Sequence, residues 1–352
     1  MKFKIFTIAV LASTLFLGSC TNDTNEEKSS GAYDNGFFII NEGGFGKANA
    51  EISFISNDLV TQQNSLYSAI NPGKLLGDTA QDFNANGEFG YIVMNGSNTI
   101  QVVNRYSFKS VATIAKDLKN PRYIVFANGK GYVTNWGDGS DATDDYIAVV
   151  NLASNTIESK IPVAEGPEKL IVYNGKLYVA HLGGFGSGKT VSVVDVLTSK
   201  VTATISVGDK PASIEENQGV IYVLSSGKAA WTGNETAGKL HKINPATNVV
   251  TATLDFVLAS HPGQMDIENN KLYFTQAKNV FVMNTSDTVL PSKALFTASF
   301  SAYGFAVHTN SVYLTDAADY SSNGKIAIYD TNGVLKNNST VGVTPNGFYF
   351  NN

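Results

Sequence analysis

The feature that most constrains this chain is an internal repeat. A strand, a tight turn around Asn-Gly-Lys and a second strand of apolar and aromatic residues recur along the sequence. The clear copies are PRYIVFANGKGYVTN from Pro121, GPEKLIVYNGKLYVAH from Gly166, KPASIEENQGVIYVLS from Lys210 and HPGQMDIENNKLYFTQ from His261. Equivalent aromatic residues, spaced 40 to 53 residues apart, are Phe38, Tyr91, Tyr132, Tyr178, Tyr222, Tyr273 and Tyr313. The spacing predicts seven units of propeller-blade size.

A second ladder of alternating strands gives the same count. Each of these strands ends at a small polar residue, and the seven ends are Ser56, Asn104, Asn151, Asp195, Asn244, Asn284 and Asp330. Each unit then holds four short strands, which cannot bury both faces without neighbouring units. We therefore predict an all-β, seven-bladed β-propeller. Only the irregular stretch from Gln62 to Leu76 has room for one short helix.

The two ends of the repeat region complement each other. The chain finishes with TPNGFYFNN from Thr344, which matches the first strand of a repeat and has no second strand after it. The segment from Asn35, NGFFIINEGG, is a second strand without its first. We expect the last strand to pair inside the first blade, which closes the ring and removes open sheet edges. The propeller domain is predicted to span residues 35–352.

Composition excludes several classes of protein. The 43% hydrophobic and 16% charged content argues against a disordered or collagen-like chain and against a polytopic membrane protein. The formal charge of −5 at pH 7 makes nucleic acid an unsuitable partner.

The first residues have the pattern of an export signal. Lys2 and Lys4 precede an apolar run that is too short to span a bilayer, so residues 1–19 are predicted to be a signal peptide. Cys20 is the only cysteine, and the string LGSC that contains it resembles the bacterial lipobox. We expect lipidation at Cys20, a flexible tether over residues 20–34, and an outer-membrane lipoprotein at the cell surface, with periplasmic display as the alternative.

Two stretches of sequence resemble known families. Tyr132 to Asn135 spell YVTN, and VSVVDVLTSKVTATISVGDKP from Val191 is similar to the following strands of the YVTN β-propeller repeat. The opening FFIINEGGFGKANAEISFIS from Phe37 resembles exported propeller lipoproteins that include surface cobalamin-binding proteins, which partner TonB-dependent transporters. This resemblance implies capture of a small-molecule ligand, with a corrinoid as the specific candidate, for TonB-dependent uptake.

Two local patterns suggest binding chemistry that their context does not support. Residues 183–190 read GGFGSGKT and match the phosphate-binding loop pattern, but an alternating strand follows where that loop requires a helix. We predict a glycine-rich hairpin. Residues 137–145 contain four aspartates whose spacing fits no standard calcium loop, so we predict a solvated acidic loop. Calcium binding by this loop stays open, and we assign no metal site.

The loops predicted to share one face of the propeller provide the candidate binding site. In a blade with strands a to d, the d–a and b–c connections emerge together, and the b–c loops here are longer than a turn requires. Aromatic and hydrogen-bonding residues on these connections suit a large, partly apolar ligand or a protein partner. The predicted ligand-binding residues are Phe45, Arg122, Trp136, Asp138, Glu168, His181, Phe185, Trp231, Gln264, Tyr303, Tyr320 and Asn346.

The sequence is compatible with three functions. We favour a binding lipoprotein without enzymatic activity, because no nucleophile adjoins a base in the sequence pattern. A propeller lyase or hydrolase is the alternative, in which His181 and His261 would face one rim. A protein-interaction scaffold in the cell envelope is the other. No catalytic residue and no cofactor is predicted.

Overall fold

The computed structural model describes residues 31–351, and in this range the chain forms seven four-stranded antiparallel sheets. The innermost strand of each sheet contacts the innermost strands of the two neighbouring sheets, which closes the sheets into a ring. The predicted seven-bladed β-propeller is confirmed. The predicted signal peptide and Cys20 lie outside the described residues.

The blades are numbered in chain order. Blade 1 contains β1 (Gly36–Asn41), β2 (Glu51–Ser56), β3 (Gln62–Gln63) and the final strand, β28 (Pro345–Asn351). Blade 2 contains β4 (Ala80–Asn86), β5 (Phe89–Met94), β6 (Thr99–Asn104) and β7 (Ser110–Ile114). Blade 3 contains β8 (Pro121–Ala127), β9 (Lys130–Asn135), β10 (Tyr146–Asn151) and β11 (Thr156–Pro162). Blade 4 contains β12 (Pro167–Tyr173), β13 (Lys176–His181), β14 (Thr190–Asp195) and β15 (Lys200–Ser206).

The remaining three blades follow the same order from the channel outwards. Blade 5 contains β16 (Pro211–Asn217), β17 (Val220–Ser225), β18 (Lys239–Asn244) and β19 (Val249–Asp255). Blade 6 contains β20 (Met265–Glu268), β21 (Lys271–Gln276), β22 (Asn279–Asn284) and β23 (Phe296–Thr297). Blade 7 contains β24 (Gly304–His308), β25 (Ser311–Asp316), β26 (Asn323–Asp330) and β27 (Leu335–Val343).

The repeated Asn-Gly-Lys turns join the two inner strands of a blade. In blade 3, Asn128 and Gly129 have φ angles of 47° and 72°, and blade 4 repeats this with Asn174 and Gly175 at 47° and 71°. Two consecutive residues with positive φ match the right-handed twist of a two-residue hairpin, and asparagine and glycine tolerate that conformation best. The Asn-Gly pair therefore sets the inner hairpin of blades 3 and 4, and with it the register of their two inner strands.

The hydrophobic core consists of seven clusters. The repeat tyrosines belong to these clusters and also join one blade to the next. The Tyr178 hydroxyl of blade 4 donates to the carbonyl oxygen of Pro245 in blade 5 at 3.1 Å, and the Tyr222 hydroxyl of blade 5 donates to Thr285 in blade 6 at 3.2 Å. A buried phenol hydroxyl requires a hydrogen-bond partner. In blades 4 and 5 the repeat tyrosine finds this partner in the next blade along the chain.

The C-terminal strand closes the ring as predicted. β28 pairs with β1 in antiparallel register, from Asn351 opposite Gly36 to Pro345 opposite Asn41. Asn351 is fully buried, accepts a hydrogen bond from the Arg105 guanidinium at 2.9 Å and donates to the carbonyl oxygen of Tyr33. The final strand is thus held both by its sheet and by side-chain contacts to blade 2 and the N-terminal segment.

The packed body begins before the predicted boundary at residue 35. Tyr33, assigned to the tether from sequence, is buried against Phe54 and Phe108, and its hydroxyl donates to Gln63 at 3.0 Å. The surrounding polarity of residues 21–32 concealed this single anchoring aromatic residue. The short helix expected between Gln62 and Leu76 is present as α1 (Leu66–Ile70). Within residues 31–351, no helix has the length and apolar character needed to cross a membrane.

Candidate functional site

A cavity of about 370 Å³ opens at the end of the central channel where the innermost strands begin. Six of the seven blades contribute to its lining, which brings together residues far apart in sequence. The polar side chains around it are Glu42, Thr79, Gln81, Asp82, Arg122, Tyr123, Lys169, Gln264, Tyr303 and Asn346. Four predicted site residues, Arg122, Gln264, Tyr303 and Asn346, therefore line one cavity.

Arg122 is fixed by an ion pair between blades 3 and 4. Its Nε donates to Glu168 Oε2 at 2.9 Å and its Nη2 to Glu168 Oε1 at 2.7 Å. The guanidinium lies 4.1 Å from the centre of the Trp136 ring, and the Trp136 indole N–H donates to the carbonyl oxygen of Pro167 at 3.1 Å. Burial disfavours the charged guanidinium, but the Glu168 carboxylate outweighs it and raises the pKa of Arg122. Arg122 is a pre-positioned cation with its carboxylate already bound.

A second network joins blades 7 and 1 across the cavity. The Tyr303 hydroxyl donates to both carboxylate oxygens of Glu42, at 3.1 and 3.2 Å, and Asn346 Nδ2 donates to Glu42 Oε1 at 2.9 Å. Gln264 Nε2 donates to the carbonyl oxygen of Tyr303. Burial raises the pKa of Glu42, while its hydrogen bonds oppose that shift. The Asn346 Oδ1 atom is buried without a hydrogen-bond partner, so this network retains one unused acceptor.

Lys169 is the cation of the cavity that lacks a close carboxylate. No ion pair within 4.0 Å involves its ammonium in the described part of the chain, although Lys169 interacts electrostatically with Asp82, Glu215 and Asp266. Asp82 accepts the Ile124 N–H at 2.9 Å, and Asp266 accepts the N–H groups of Ile267 and Val307. The Lys169 ammonium lies 6.0 Å from the centre of the Tyr123 ring, and both residues line the cavity.

Burial alters the acidity of the channel carboxyls. Desolvation raises the pKa of Asp82 to about 6. Desolvation also raises the pKa of Glu215, and the neighbouring carboxylate of Asp266 raises it further. The channel therefore holds carboxyl groups that titrate above their ordinary range, which is a common property of functional sites and of buried structural networks alike.

Two aromatic pairs lie beside the cavity mouth. Trp136 makes an edge contact with Phe185 at 5.9 Å between ring centres, and Tyr303 makes one with Tyr320 at 5.5 Å. Phe185 and Tyr320 are 83% and 59% exposed. The structure therefore brings Trp136, Phe185 and Tyr320 next to the polar cavity, with apolar surface left for contact.

Other predicted residues lie apart from the cavity. Phe45 and Trp231, the latter in a short 3₁₀ helix (Ala230–Thr232), are 87% and 85% exposed and are not part of the cavity lining. Asp138 lies in an exposed loop, where its carboxylate accepts hydrogen bonds from Ser140. No three histidine, cysteine or acidic side chains within residues 31–351 are arranged to hold a metal ion.

His181 has a structural environment. It is 1% exposed, and its Nε2 lies 2.8 Å from the Ser192 hydroxyl oxygen in the neighbouring strand. Burial lowers its pKa to about 4, so the imidazole is neutral at physiological pH. His181, predicted to lie on the binding rim, is buried at the end of β13 and is not part of the cavity lining.

The glycine-rich stretch at 183–190 forms the hairpin predicted for it. Gly183 N–H donates to the Gly166 carbonyl oxygen at 3.4 Å, and β14 begins at Thr190. A Cβ atom on Gly166 would lie 1.9 Å from the Gly184 nitrogen. The glycines allow this close backbone approach, and a strand, not a helix, follows them.

The sequence-based selection missed the residues of the innermost strands. Asp82, Tyr123 and Lys169 line the cavity from blades 2, 3 and 4, while Glu215 interacts electrostatically with Lys169. A usable signal was present: Glu215 of β16 occupies the strand position at which the sister strands β8 and β12 carry Val125 and Ile171. Asp266 in β20 occupies the same position opposite its repeat tyrosine, so acidic residues at a position that is apolar in blades 3 and 4 were the signal for buried charge in the channel.

The family described as "Domain of unknown function (DUF5074)" matches residues 35–344, which is most of the chain. The chain belongs to this family. The matched region ends just before the closing strand β28. No curated protein matches the DUF5074 chain in sequence.

Solved structures show the same fold at low sequence identity. A quinonprotein alcohol dehydrogenase-like protein from Bacteroides thetaiotaomicron has 16% identity and a TM-score of 0.68, covering 91% of this chain and 79% of that one. A functionally unknown protein from Desulfotomaculum acetoxidans has 12% identity and a TM-score of 0.65, covering 90% and 98%. Kuenenia stuttgartiensis hydrazine synthase has 14% identity and a TM-score of 0.60, covering 78% and 92%. These similarities concern the fold alone.

Proposed function

We propose that this DUF5074 protein is an envelope-anchored binding protein that holds a ligand across the cavity mouth. The observation that carries the proposal is the convergence of polar side chains from six blades on one cavity, where hydrogen bonds fix Arg122 to Glu168 and fix Tyr303 and Asn346 to Glu42. Groups fixed before binding lose little conformational entropy when a ligand arrives. Such pre-organisation favours recognition at this position.

The cavity favours an uncharged polar group of the ligand. Lys169 offers N–H donors and Asn346 Oδ1 an acceptor, while the carboxyl groups of Glu42 and Asp82 disfavour a free anion. Amide and hydroxyl groups use donors and acceptors together without adding charge. The apolar surfaces of Phe185 and Tyr320 would contact the flatter part of the same ligand.

A corrinoid is the specific ligand we propose to test first. A cavity of about 370 Å³ accommodates a small group and not a whole macrocycle. The ring would therefore lie across the mouth, with an amide-bearing edge directed to Lys169 and Asn346. Glycans, which also combine hydroxyl groups with faces that stack on aromatic rings, are the comparison ligands.

We also propose that the protein delivers its ligand to a TonB-dependent transporter. This proposal rests on the sequence resemblance and on the lipidation expected at Cys20. Metabolic labelling with palmitate should mark the wild-type protein and not the Cys20→Ala variant. Labelling that persists in the variant would contradict the anchor.

Catalysis is the second candidate, supported by the raised pKa of Asp82 and Glu42 in a cavity. A lyase or hydrolase would use such carboxyls as proton donors or acceptors beside Tyr123. If the wild type converts a trial ligand to product and Asp82→Asn does not, the catalytic function would replace the binding proposal.

Calorimetry tests the binding proposal. The Cys20→Ala chain is titrated with cyanocobalamin, with other metal chelates and with soluble glycans. We expect micromolar or tighter binding of cyanocobalamin, weakened about tenfold or more in Lys169→Met, a loss of about 1.4 kcal/mol. The matched control is Lys271→Met, which removes one exposed lysine from blade 6 at the first residue of β21, away from the cavity.

Each outcome of the titration has a defined meaning. Binding of a glycan but not of cyanocobalamin would identify a different ligand for the same site. Equal affinity in Lys169→Met and Lys271→Met would contradict the site.

A further inference from the structure

The point where the chain enters the propeller and the cavity mouth lie at opposite ends of the channel. Residues at the start of the innermost strands, such as Arg122 and Asn346, line the cavity. In β1, Asn41 lies opposite Pro345, the first residue of β28, whereas Gly36 lies opposite Asn351. β1 therefore starts at the face opposite the mouth and runs towards it.

The residues before β1 remain on that opposite face. The Tyr33 N–H donates to the carbonyl oxygen of Tyr106 at 3.0 Å, and Tyr106 lies in the turn between β6 and β7. The Tyr33 carbonyl oxygen accepts a hydrogen bond from Asn351, at the end of β28. We name this end of the propeller the turn face, since the Asn-Gly turns and the turns between third and fourth strands form it.

We propose that the lipid-anchored propeller sits with its turn face towards the membrane and its cavity mouth directed away from it. This inference rests on the proposed anchoring at Cys20. Between Cys20 and Gly31 the chain reaches at most about 40 Å when fully extended. Turning the mouth to the membrane would use about half of this reach, roughly 20 Å, to run up the side of a blade, so the turn-face orientation leaves the segment more conformational freedom.

The arrangement limits the partner that can take the ligand. Strands of six or seven residues, such as β12 and β13, place the mouth roughly 20 Å or more beyond the turn face. A ligand would enter from the aqueous side. A transporter in the same membrane could reach the mouth only with segments that rise above the height of the propeller.

Fluorescence energy transfer to an acceptor on the lipid headgroups tests this orientation. Since Cys20 is the only cysteine and is consumed by acylation, an introduced cysteine is a unique labelling site. In blade 1, Lys47→Cys reports the mouth face and Val60→Cys the turn face; in blade 5, Asn234→Cys and Thr247→Cys form the matched pair. All four positions are exposed.

The turn-face labels should transfer energy more efficiently than the mouth-face labels in both blades. Equal or higher efficiency from Lys47→Cys and Asn234→Cys would overturn the orientation. A second arm replaces Cys20 with a hexahistidine tag and binds the same variants to nickel-chelating lipids.

The second arm separates the two proposals. If the natural chain does not associate with vesicles, the lipoprotein proposal fails, while the nickel-bound chain still measures orientation. Conversely, mouth-face labels that lie nearer the membrane in both arms would reject the orientation even with the anchor intact.

Discussion

Arg122 and Glu168 occupy the second positions of the innermost strands of consecutive blades and are joined by two hydrogen bonds, at 2.9 and 2.7 Å. Both side chains are largely buried, at 14% and 7% exposure. The pair links blades 3 and 4 where the cavity opens, and the Arg122 guanidinium packs on the Trp136 ring at 4.1 Å from its centre. Arg122 therefore both lines the cavity and supports its mouth.

Removing one partner of this pair should destabilise the protein strongly. In Arg122→Met the Glu168 carboxylate remains buried without its cation, which costs about 3–5 kcal/mol. The double variant Arg122→Met/Glu168→Gln should recover most of that free energy, because the uncompensated charge is gone. Chemical denaturation of the two single variants and the double variant gives the coupling. Additive losses would show that the pair is not coupled.

Gly166 should tolerate no side chain. It has a φ of +64°, and a Cβ atom would lie 1.9 Å from the Gly184 nitrogen, so Gly166→Ala must displace backbone. We expect a loss of about 2–4 kcal/mol. The control is Gly129→Ala, with a φ of +72° but open space around it, which should cost roughly 1 kcal/mol. Similar melting temperatures for both variants would exclude the steric explanation.

Asp82 should make stability depend on pH in the acidic range. Its pKa rises from the ordinary value of 3.8 to about 6 in the folded protein, so the folded state binds the proton more tightly than the unfolded state. This group favours folding below about pH 4, and that contribution is lost as the pH rises to about 6. Asp82→Asn should remove the dependence and, at pH 7.5, stabilise the fold by about 1–2 kcal/mol.

The measurement is a series of thermal melts between pH 4 and 7.5 for wild type and Asp82→Asn. A control variant, Asp58→Asn, changes an exposed carboxyl whose pKa is lowered by hydrogen bonds from Ser56 and Val60. The melting temperature of Asp58→Asn should show the same dependence on pH as that of the wild type, because Asp82 is still present. Parallel profiles for wild type and Asp82→Asn would refute the assignment.

Deleting residues 345–352 should prevent formation of the closed ring. The deletion removes β28, exposes the edge of β1 and leaves the Arg105 guanidinium without Asn351. We expect aggregation or loss of a cooperative melt, monitored by circular dichroism and size-exclusion chromatography. A truncated chain that melts cooperatively at the parent temperature would show that closure is dispensable.

The number of blades, their strand order and the closure of the ring are predictable from the amino-acid sequence alone. These follow from local signals: Asn-Gly turns that fix hairpins, alternation that fixes strands, and tyrosines such as Tyr178 at a constant place in each unit. The terminal strands complete one another in sequence, so the closing pair of β28 with β1 was also predictable. Local rules suffice because six of the seven blades are built from contiguous residues and the seventh is completed by the last strand of the chain.

The set of side chains that share the cavity becomes visible only in the three-dimensional arrangement of the blades. Asp82, Arg122 and Lys169 come from three blades, and their proximity depends on ring closure and on the direction in which each innermost strand faces its neighbours. Both faces of such a strand are enclosed, so alternation does not distinguish channel from core. The sequence of the long loops does not show which of their aromatic residues lie near the cavity. Phe185 contacts Trp136 beside the mouth, whereas Trp231 is exposed to solvent and is not part of the cavity lining, although both lie in loops of equivalent position.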